Sequence, residues 1–353
     1  MDAATFRILD VLASGLSKTF SINQLTMRIK ETHGTAHYAN IYKKLHDLEK
    51  QQIVKLTKLG KSSLTSLNFE NYLLTDLLTE MEIRKKISFL KIRTNLQMFL
   101  QDLDKQLGDL CPVKTIGSIN PKKNLKLNKI ELFILQQKDG EENIQTETNS
   151  IYSKLQKLEN KYNLKINSLV FDKQEFSSFL KSDEINPLKE FFSNMIIFSG
   201  PQNFWNEIRE FVEKGINIQA IEEETRPFDI TEDDLIYNLA RFGYTEFGSK
   251  VRQANKYCIE YIIVSLLMSG DARRIEAIPI IIAKTGFSSN LLVFLSQKFG
   301  QAEKLMGLLK ILEKIKQMEE VSKTIRLLEI LNVNEIESDE EAILQKMRLY
   351  NAA

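Results

Sequence analysis

The feature that most constrains this fold is a pair of short apolar runs separated by a polar segment, within residues 113–135. Residues 113–116 and 130–135 are rich in β-branched and other apolar side chains, which favour strands. Between them lie Gly117-Ser118, which we interpret as a turn, and a polar loop rich in lysine. The stretch therefore predicts two paired strands that open an α/β domain.

This pattern resembles the core of the minimal nucleotidyltransferases, relatives of DNA polymerase β. In that family a Gly-Ser turn precedes a strand written Asp-hydrophobic-Asp, whose carboxylates hold the divalent metals for in-line nucleotidyl transfer. The glycine allows the backbone to approach a triphosphate. Here residues 128–131 read Asn-Lys-Ile-Glu, so Lys129 replaces the first carboxylate and only Glu131 remains.

The third carboxylate of the family belongs on the strand at residues 164–171. The aligned positions are Ile166, Asn167 and Ser168, and none of them is acidic. The resemblance thus implies a degenerate nucleotidyltransferase-like domain in which Glu131 is a vestige. We expect no catalytic residues, no metal and no cofactor.

Lysines take the place of the missing acids, and phosphate can be held without metal by backbone N–H groups and lysines. A nucleotide ligand is therefore one expectation, and a solvated loop on a scaffold without catalytic activity is the other. The candidate phosphate-binding residues are Gly117, Ser118, Lys122, Lys123, Lys126 and Lys129.

Residues 1–70 predict three helices followed by a two-stranded hairpin, the order of a winged helix-turn-helix, which this segment resembles. Ser21 and Gln24 have the spacing of a capping box at the start of the second helix. Residues 53–58 alternate as a strand, and residues 63–68 return as its partner.

In this arrangement the helix at residues 36–50 is the recognition helix, and double-stranded DNA is the expected partner. Asparagine can pair with adenine, and lysine contacts phosphate or guanine. Residues 1–68 contain ten Lys or Arg against five Asp or Glu, although the whole chain has a net charge of only +1. The alternative is a winged helix that contacts protein. The candidate DNA-binding residues are His37, Asn40, Tyr42, Lys43, Lys44, Lys55, Lys58 and Lys61.

Residues 72–107 contain neither Pro nor Gly, and apolar residues recur at three- and four-residue steps. This pattern predicts one long helix, with a break near residues 84–86 as the alternative. Such a helix favours a homodimer with two half-site readers, or else a spacer along the next domain.

From residue 229 onward the pattern is helical throughout. Residues 271–279 resemble a stretch in archaeal proteins that join a winged helix to a transferase-like domain and a helical C-terminus. Arg273, Arg274 and Glu276 are interpreted either as a charged site facing the transferase cleft or as an ion-paired helix end.

Two cysteines, Cys111 and Cys258, lie far apart, which indicates a reducing cytoplasm and neither a disulfide framework nor a zinc motif. No signal peptide is visible, and the longest apolar run, residues 257–268, is too short for a membrane span. The three histidines lack the companions of a metal site.

The sequence predicts a multidomain α+β protein. Its expected parts are a winged helix-turn-helix (1–70), a linking or dimerisation helix (71–108), a nucleotidyltransferase-like α/β domain (109–215), and a helical bundle with a tail (229–353). We expect a DNA-binding transcriptional regulator whose transferase-like domain is an inactive scaffold or nucleotide sensor. The alternatives are an active nucleotidyltransferase acting on RNA, protein or a small molecule, and a non-catalytic structural partner of a nucleic-acid complex.

Overall fold

The computed structural model is a mixed α+β protein with two small sheets, which confirms the expected class. It describes residues 1–16, 18–60, 62–108, 113–119, 128–136, 144–218, 220–221, 223–248, 254–336 and 338–352.

The N-terminal part consists of α1 (Ala3–Ser14), β1 (Phe20–Ser21), α2 (Ile22–His33), α3 (Tyr38–Lys50), β2 (Val54–Leu59) and β3 (Ser62–Leu67). The three strands form an antiparallel sheet in the order β1-β3-β2. The expected capping box is confirmed: Gln24 N donates to Ser21 Oγ at 3.3 Å, and Ser21 N donates to Gln24 Oε1 at 2.9 Å. Ile8, Leu25 and Leu45 are fully buried between the three helices.

The next segment is two helices, α4 (Tyr72–Ile92) and α5 (Asn95–Gly108), so the prediction of one long helix is wrong. The break lies at Arg93, not near residues 84–86. Arg93 has φ −120° and ψ 61°, and its carbonyl accepts from Leu96 N in the turn that opens α5. The α4 helix packs against α9 (Pro201–Glu213) and β7 (Met195–Ser199), as a helix lying along the next unit does.

The second sheet has the order β6-β5-β4-β7, formed by β4 (Val113–Ile119), β5 (Lys129–Gln136), β6 (Lys165–Phe171) and β7. The β5 and β6 strands are parallel, and the other neighbours are antiparallel. Three further helices belong to this unit: α6 (Ile144–Tyr162), α7 (Lys173–Lys181) and α8 (Pro187–Phe191), the last continued by a 3-10 turn (Phe192–Asn194).

The predicted strand pair is confirmed, but Gly117-Ser118 is not a turn. Gly117 lies inside β4, opposite Phe133 on β5 and Ile197 on β7. A Cβ atom at Gly117 would lie 3.1 Å from Ile197 Cδ1 and 3.3 Å from Phe191 Cζ. Close packing by neighbouring side chains therefore accounts for this glycine.

The C-terminal part is helical. A 3-10 turn (Pro227–Asp229) precedes α10 (Glu232–Arg241), α11 (Ile259–Ser269), α12 (Ala272–Ile275), α13 (Ala277–Lys284), α14 (Ser289–Lys298), α15 (Ala302–Ile315), α16 (Glu319–Ile330) and α17 (Glu340–Leu349). The α12 and α13 helices are separate, since α12 ends at Ile275 and α13 begins at Ala277. Pro279 falls in the first turn of α13, where a missing N–H does no harm.

The α14 helix packs against β6, and α16 packs against α6. The C-terminal helices therefore rest directly on the second sheet. Among the helices of the described residues, none has both the length and the apolar character needed to cross a membrane.

Gly307 lies inside α15, where the carbonyl of Ile336 approaches the helix closely. A Cβ atom at Gly307 would lie 1.9 Å from that oxygen. Although alanine is favoured over glycine in a helix by about 1 kcal/mol, we expect Gly307→Ala to lower the free energy of unfolding by about 1–3 kcal/mol, because the segment at Ile336 must move. Urea unfolding followed by circular dichroism measures the change.

Gly286→Ala is the control, since a Cβ atom there meets no other atom within 4 Å. It should be neutral or stabilise the chain by about 0.4–1 kcal/mol. Equal stability of Gly307→Ala and the unchanged chain would contradict the close approach.

Candidate functional site

The carboxylate of Glu131 lies on the central strand β5 and is bracketed by two lysines. Lys129 Nζ is 3.1 Å from Glu131 Oε1, and Lys298 Nζ at the end of α14 is 3.1 Å from Oε2. Lys129 and Glu131 reach the same side of the sheet because they are two residues apart. Lys298 also lies 2.5 Å from Glu224 Oε1. The Glu131 side chain is only 4% exposed, so these charges meet in a buried place.

Lys298 stays charged in this environment. Burial alone would lower its pKa, but the carboxylates of Glu131 and Glu224 outweigh that effect and raise the pKa above its usual value. Each acidic partner of Lys298 is thus neutralised by an ammonium at ion-pair distance. An ammonium at that distance repels a metal ion from the oxygens that would otherwise bind it.

Asn167 lies directly opposite Glu131 in the parallel pairing of β5 and β6. Its side chain is fully buried, and neither its amide oxygen nor its amide nitrogen has a hydrogen-bond partner among the described residues. Asn167 is one of the three positions aligned with the family's third carboxylate. Within the same described residues, no three His, Cys, Asp or Glu side chains are grouped as a metal site would require.

The candidate phosphate-binding residues are only partly brought together. Gly117 and Ser118 lie on β4, where both neighbouring strands pair with the backbone, and the Ser118 side chain is buried. Lys129 is ion-paired to Glu131. Lys122, Lys123 and Lys126 lie outside the described residues. Phosphate binding stays a prediction.

A second acid, Glu190 on α8, is buried near this cluster. Its Oε1 accepts hydrogen bonds from Thr225 N and from the Tyr261 hydroxyl, both at 3.0 Å. Burial raises the pKa of Glu190 from its usual 4.5 to about 7 despite these donors and the nearby charge of Lys298. The sequence showed no sign of this, because the partners come from three separate segments.

The described candidate DNA-binding residues lie on α3, at its N-cap and on β2. His37, Asn40 and Lys43 are exposed, and Tyr42 is 45% exposed. Lys44 is turned toward α1, since its Nζ lies 2.6 Å from Asp2 Oδ2.

On the hairpin, Lys55 pairs with Glu70 at 2.8 Å. Lys58 is exposed, and Lys61 lies outside the described residues. Lys43 and Lys58 have no ion-pair partner in the part of the chain that the structure describes.

An exposed aromatic row on α3 was missed in the sequence. Tyr38 and Tyr42 stack with ring centroids 6.0 Å apart, and the ring of His46 meets Tyr42 edge-on at 4.4 Å. The four-residue spacing of the three side chains was the available signal.

A buried charge network connects the N-terminal part to the second sheet. Lys85 on α4 reaches Asp10 on α1 at 3.2 Å and Glu82 at 3.1 Å, and Asp10 also pairs with His33 at 3.2 Å. Glu82 Oε2 accepts from Ile197 N of β7 at 3.1 Å. Burial would raise the pKa of Asp10, but Lys85 and His33 outweigh it and hold that pKa below its usual range.

At the end of α12, Arg274 pairs with Glu232 at 2.8 Å, and Glu276 lies 3.6 Å from Lys346. These contacts favour the interpretation of this cluster as an ion-paired helix end.

Comparison with known protein families, with curated protein sequences and with solved structures finds no match to this chain.

Removing Lys298 tests the bracket around Glu131. We expect Lys298→Met to lower the free energy of unfolding by about 3–5 kcal/mol, because it removes one of the two ammonium groups beside buried Glu131 and also the ion pair with Glu224. The matched control is Lys314→Met, which breaks an exposed pair with Glu340 (2.8 Å) and should cost less than about 1 kcal/mol. Adding Glu131→Gln to Lys298→Met should recover part of the loss in denaturant unfolding. Similar losses for both lysines would contradict the bracket.

The raised pKa of Glu190 predicts a pH dependence of stability. Between pH 4.5 and about 7 the folded carboxyl binds more protons than the unfolded one, so the free energy of unfolding falls as pH rises. Glu190→Gln should make this decline shallower and stabilise the chain by up to about 3 kcal/mol above pH 7. Part of the decline should remain in Glu190→Gln, because the pKa of buried Glu260 is also raised to about 7.

The measurement is denaturant unfolding at a series of pH values, with the exposed Glu329→Gln on α16 as control. If Glu190→Gln leaves the slope of the free energy of unfolding against pH unchanged, Glu190 is not the group responsible for it.

Proposed function

We propose that this chain is a DNA-binding regulator that uses its N-terminal part as a winged helix. The order of α1 to β3 and the sheet order β1-β3-β2 support this assignment, because they match the helix, helix, helix, wing pattern expected from the sequence. In such a unit α3 enters the major groove and the β2–β3 hairpin contacts the backbone. The C-terminal helices are proposed to act as a bundle for assembly.

The observation that carries the proposal is the placement of Lys43 on α3 and Lys58 on the hairpin. Both ammonium groups are exposed and lack an ion-pair partner among the described side chains. Asn40 is exposed on the same helix and can pair with adenine. Residues 1–68 have an excess of five positive charges, the distribution that phosphate binding requires.

We further propose that the second sheet and its helices are a nucleotidyltransferase-like scaffold without catalytic activity. The bracketing of Glu131 by Lys129 and Lys298 supports this, because the acid is already neutralised by two ammonium groups. Asn167, opposite Glu131 on β6, supplies a neutral amide where an active transferase needs a third carboxylate. A nucleotide held by the lysine-rich segment stays part of the proposal.

The two alternatives have separate tests. Turnover of labelled nucleoside triphosphates with Mg²⁺ that Glu131→Ala abolishes would replace the scaffold proposal by an active transferase. If the chain binds no DNA duplex, the remaining alternative is a non-catalytic structural partner of a nucleic-acid complex.

The DNA proposal is tested by fluorescence anisotropy with duplexes from upstream of the chain's own coding region and from a random-sequence pool. We expect affinity to fall steeply with salt. The double variant Lys43→Ala/Lys58→Ala should weaken binding similarly for all sequences and reduce the magnitude of the log–log salt slope by about 2, one per lysine. Asn40→Ala should instead reduce discrimination between sequences, by about 1–3 kcal/mol.

Lys157→Ala is the control, since Lys157 is also exposed but lies on α6. It should leave both the affinity and the salt slope unchanged. Equal weakening by Lys157→Ala and by the double variant would mean that the binding is diffuse charge attraction, which contradicts the proposed surface.

A further inference from the structure

The α4 helix carries apolar side chains on two sides, and only one of them is covered. Leu74, Leu78 and Met81 are fully buried. On another side, Ile83 and Ile87 are 45% and 49% exposed, although they lie in the middle of a helix of 21 residues. At 100° per residue, these two isoleucines are neighbours on one stripe.

Opposite charges flank this stripe. Asp76 precedes it and Lys91 follows it, and both lie within about 80° of Ile83 around the helix. Both side chains are exposed, and neither forms an ion pair with any described residue. Along the helix the stripe therefore has an acidic side chain first, then the two isoleucines, then a basic side chain.

We propose that this stripe binds the same stripe of a second copy of the chain, with the two α4 helices antiparallel. A two-fold axis between positions 83 and 87 places Ile83 of one copy against Ile87 of the other. The same axis brings Lys91 of one copy within about 5 Å, along the helix direction, of Asp76 of the other. The interface is isologous, so each charge pair forms twice.

Charge complementarity favours a second copy of the chain as the partner, with the two α4 helices antiparallel. A parallel arrangement would place Asp76 beside Asp76 and Lys91 beside Lys91, which is repulsive. The antiparallel arrangement pairs both residues and covers both isoleucines. The break at Arg93 ends α4, so the contact is confined to a helix about 30 Å long. The inference concerns assembly and does not depend on DNA binding.

The apolar centre is tested by sedimentation equilibrium of the full chain. We expect the unchanged chain to be a dimer. Ile83→Asp and Ile87→Asp should each raise the dimer Kd at least about thirtyfold, or about 2 kcal/mol. The control is Ile92→Asp, because Ile92 is 77% exposed but lies on the opposite side of α4 from Ile83. Ile92→Asp should leave the Kd unchanged, and circular dichroism verifies that every variant is folded.

The direction is tested by exchanging the charges. Asp76→Lys alone and Lys91→Asp alone should each weaken the dimer about two- to tenfold, and the double variant should restore the original Kd. In a parallel dimer neither single variant would change the repulsion, so unchanged single variants overturn the antiparallel arrangement. A monomer at every concentration, or a dimer that Ile83→Asp leaves intact, overturns the interface itself.

Discussion

The interaction on which the rest of the structure depends is the buried group of charges around Glu131. A carboxylate inside a sheet is tolerated only when a positive partner accompanies it, and here the partner on α14 comes from a distant part of the chain. Lys298 therefore does more than neutralise a charge. By reaching Glu131 and Glu224 together, it holds the C-terminal helices against the strands. The charges around Glu131 thus join two parts of the molecule.

Charge is divided unevenly along the chain, and this division has physical consequences. Residues 1–68 carry an excess of five positive charges, whereas residues 69–353 carry an excess of four negative charges. Such a distribution would attract a polyanion more strongly to the first part than to the rest. Near-neutrality of the whole chain is thus compatible with an uneven distribution of charge. The neutralised pairs of the second sheet contribute little to that unevenness.

Local sequence patterns were sufficient to predict the elements that depend on neighbouring residues in the chain. The capping box of Ser21, the strand pair of the second sheet and the α3 helix are all where periodicity and turn residues predicted them. Errors arose where distant residues decide the outcome. Gly117 suggested a turn, but the ring of Phe191 and a neighbouring strand require a small residue there. The break at Arg93 has neither Pro nor Gly to mark it, and the partners of Lys298 and Lys85 come together only in three dimensions.

Lys85 links the first three helices to the second sheet. Its ammonium is shared by a carboxylate of the first unit and by one that also accepts a backbone N–H of β7. Tilting the first three helices away from the sheet would separate Asp10 from Lys85 and break part of this buried network, so these contacts oppose such a motion. The exposed side of α3 is therefore favoured in one orientation relative to the second sheet.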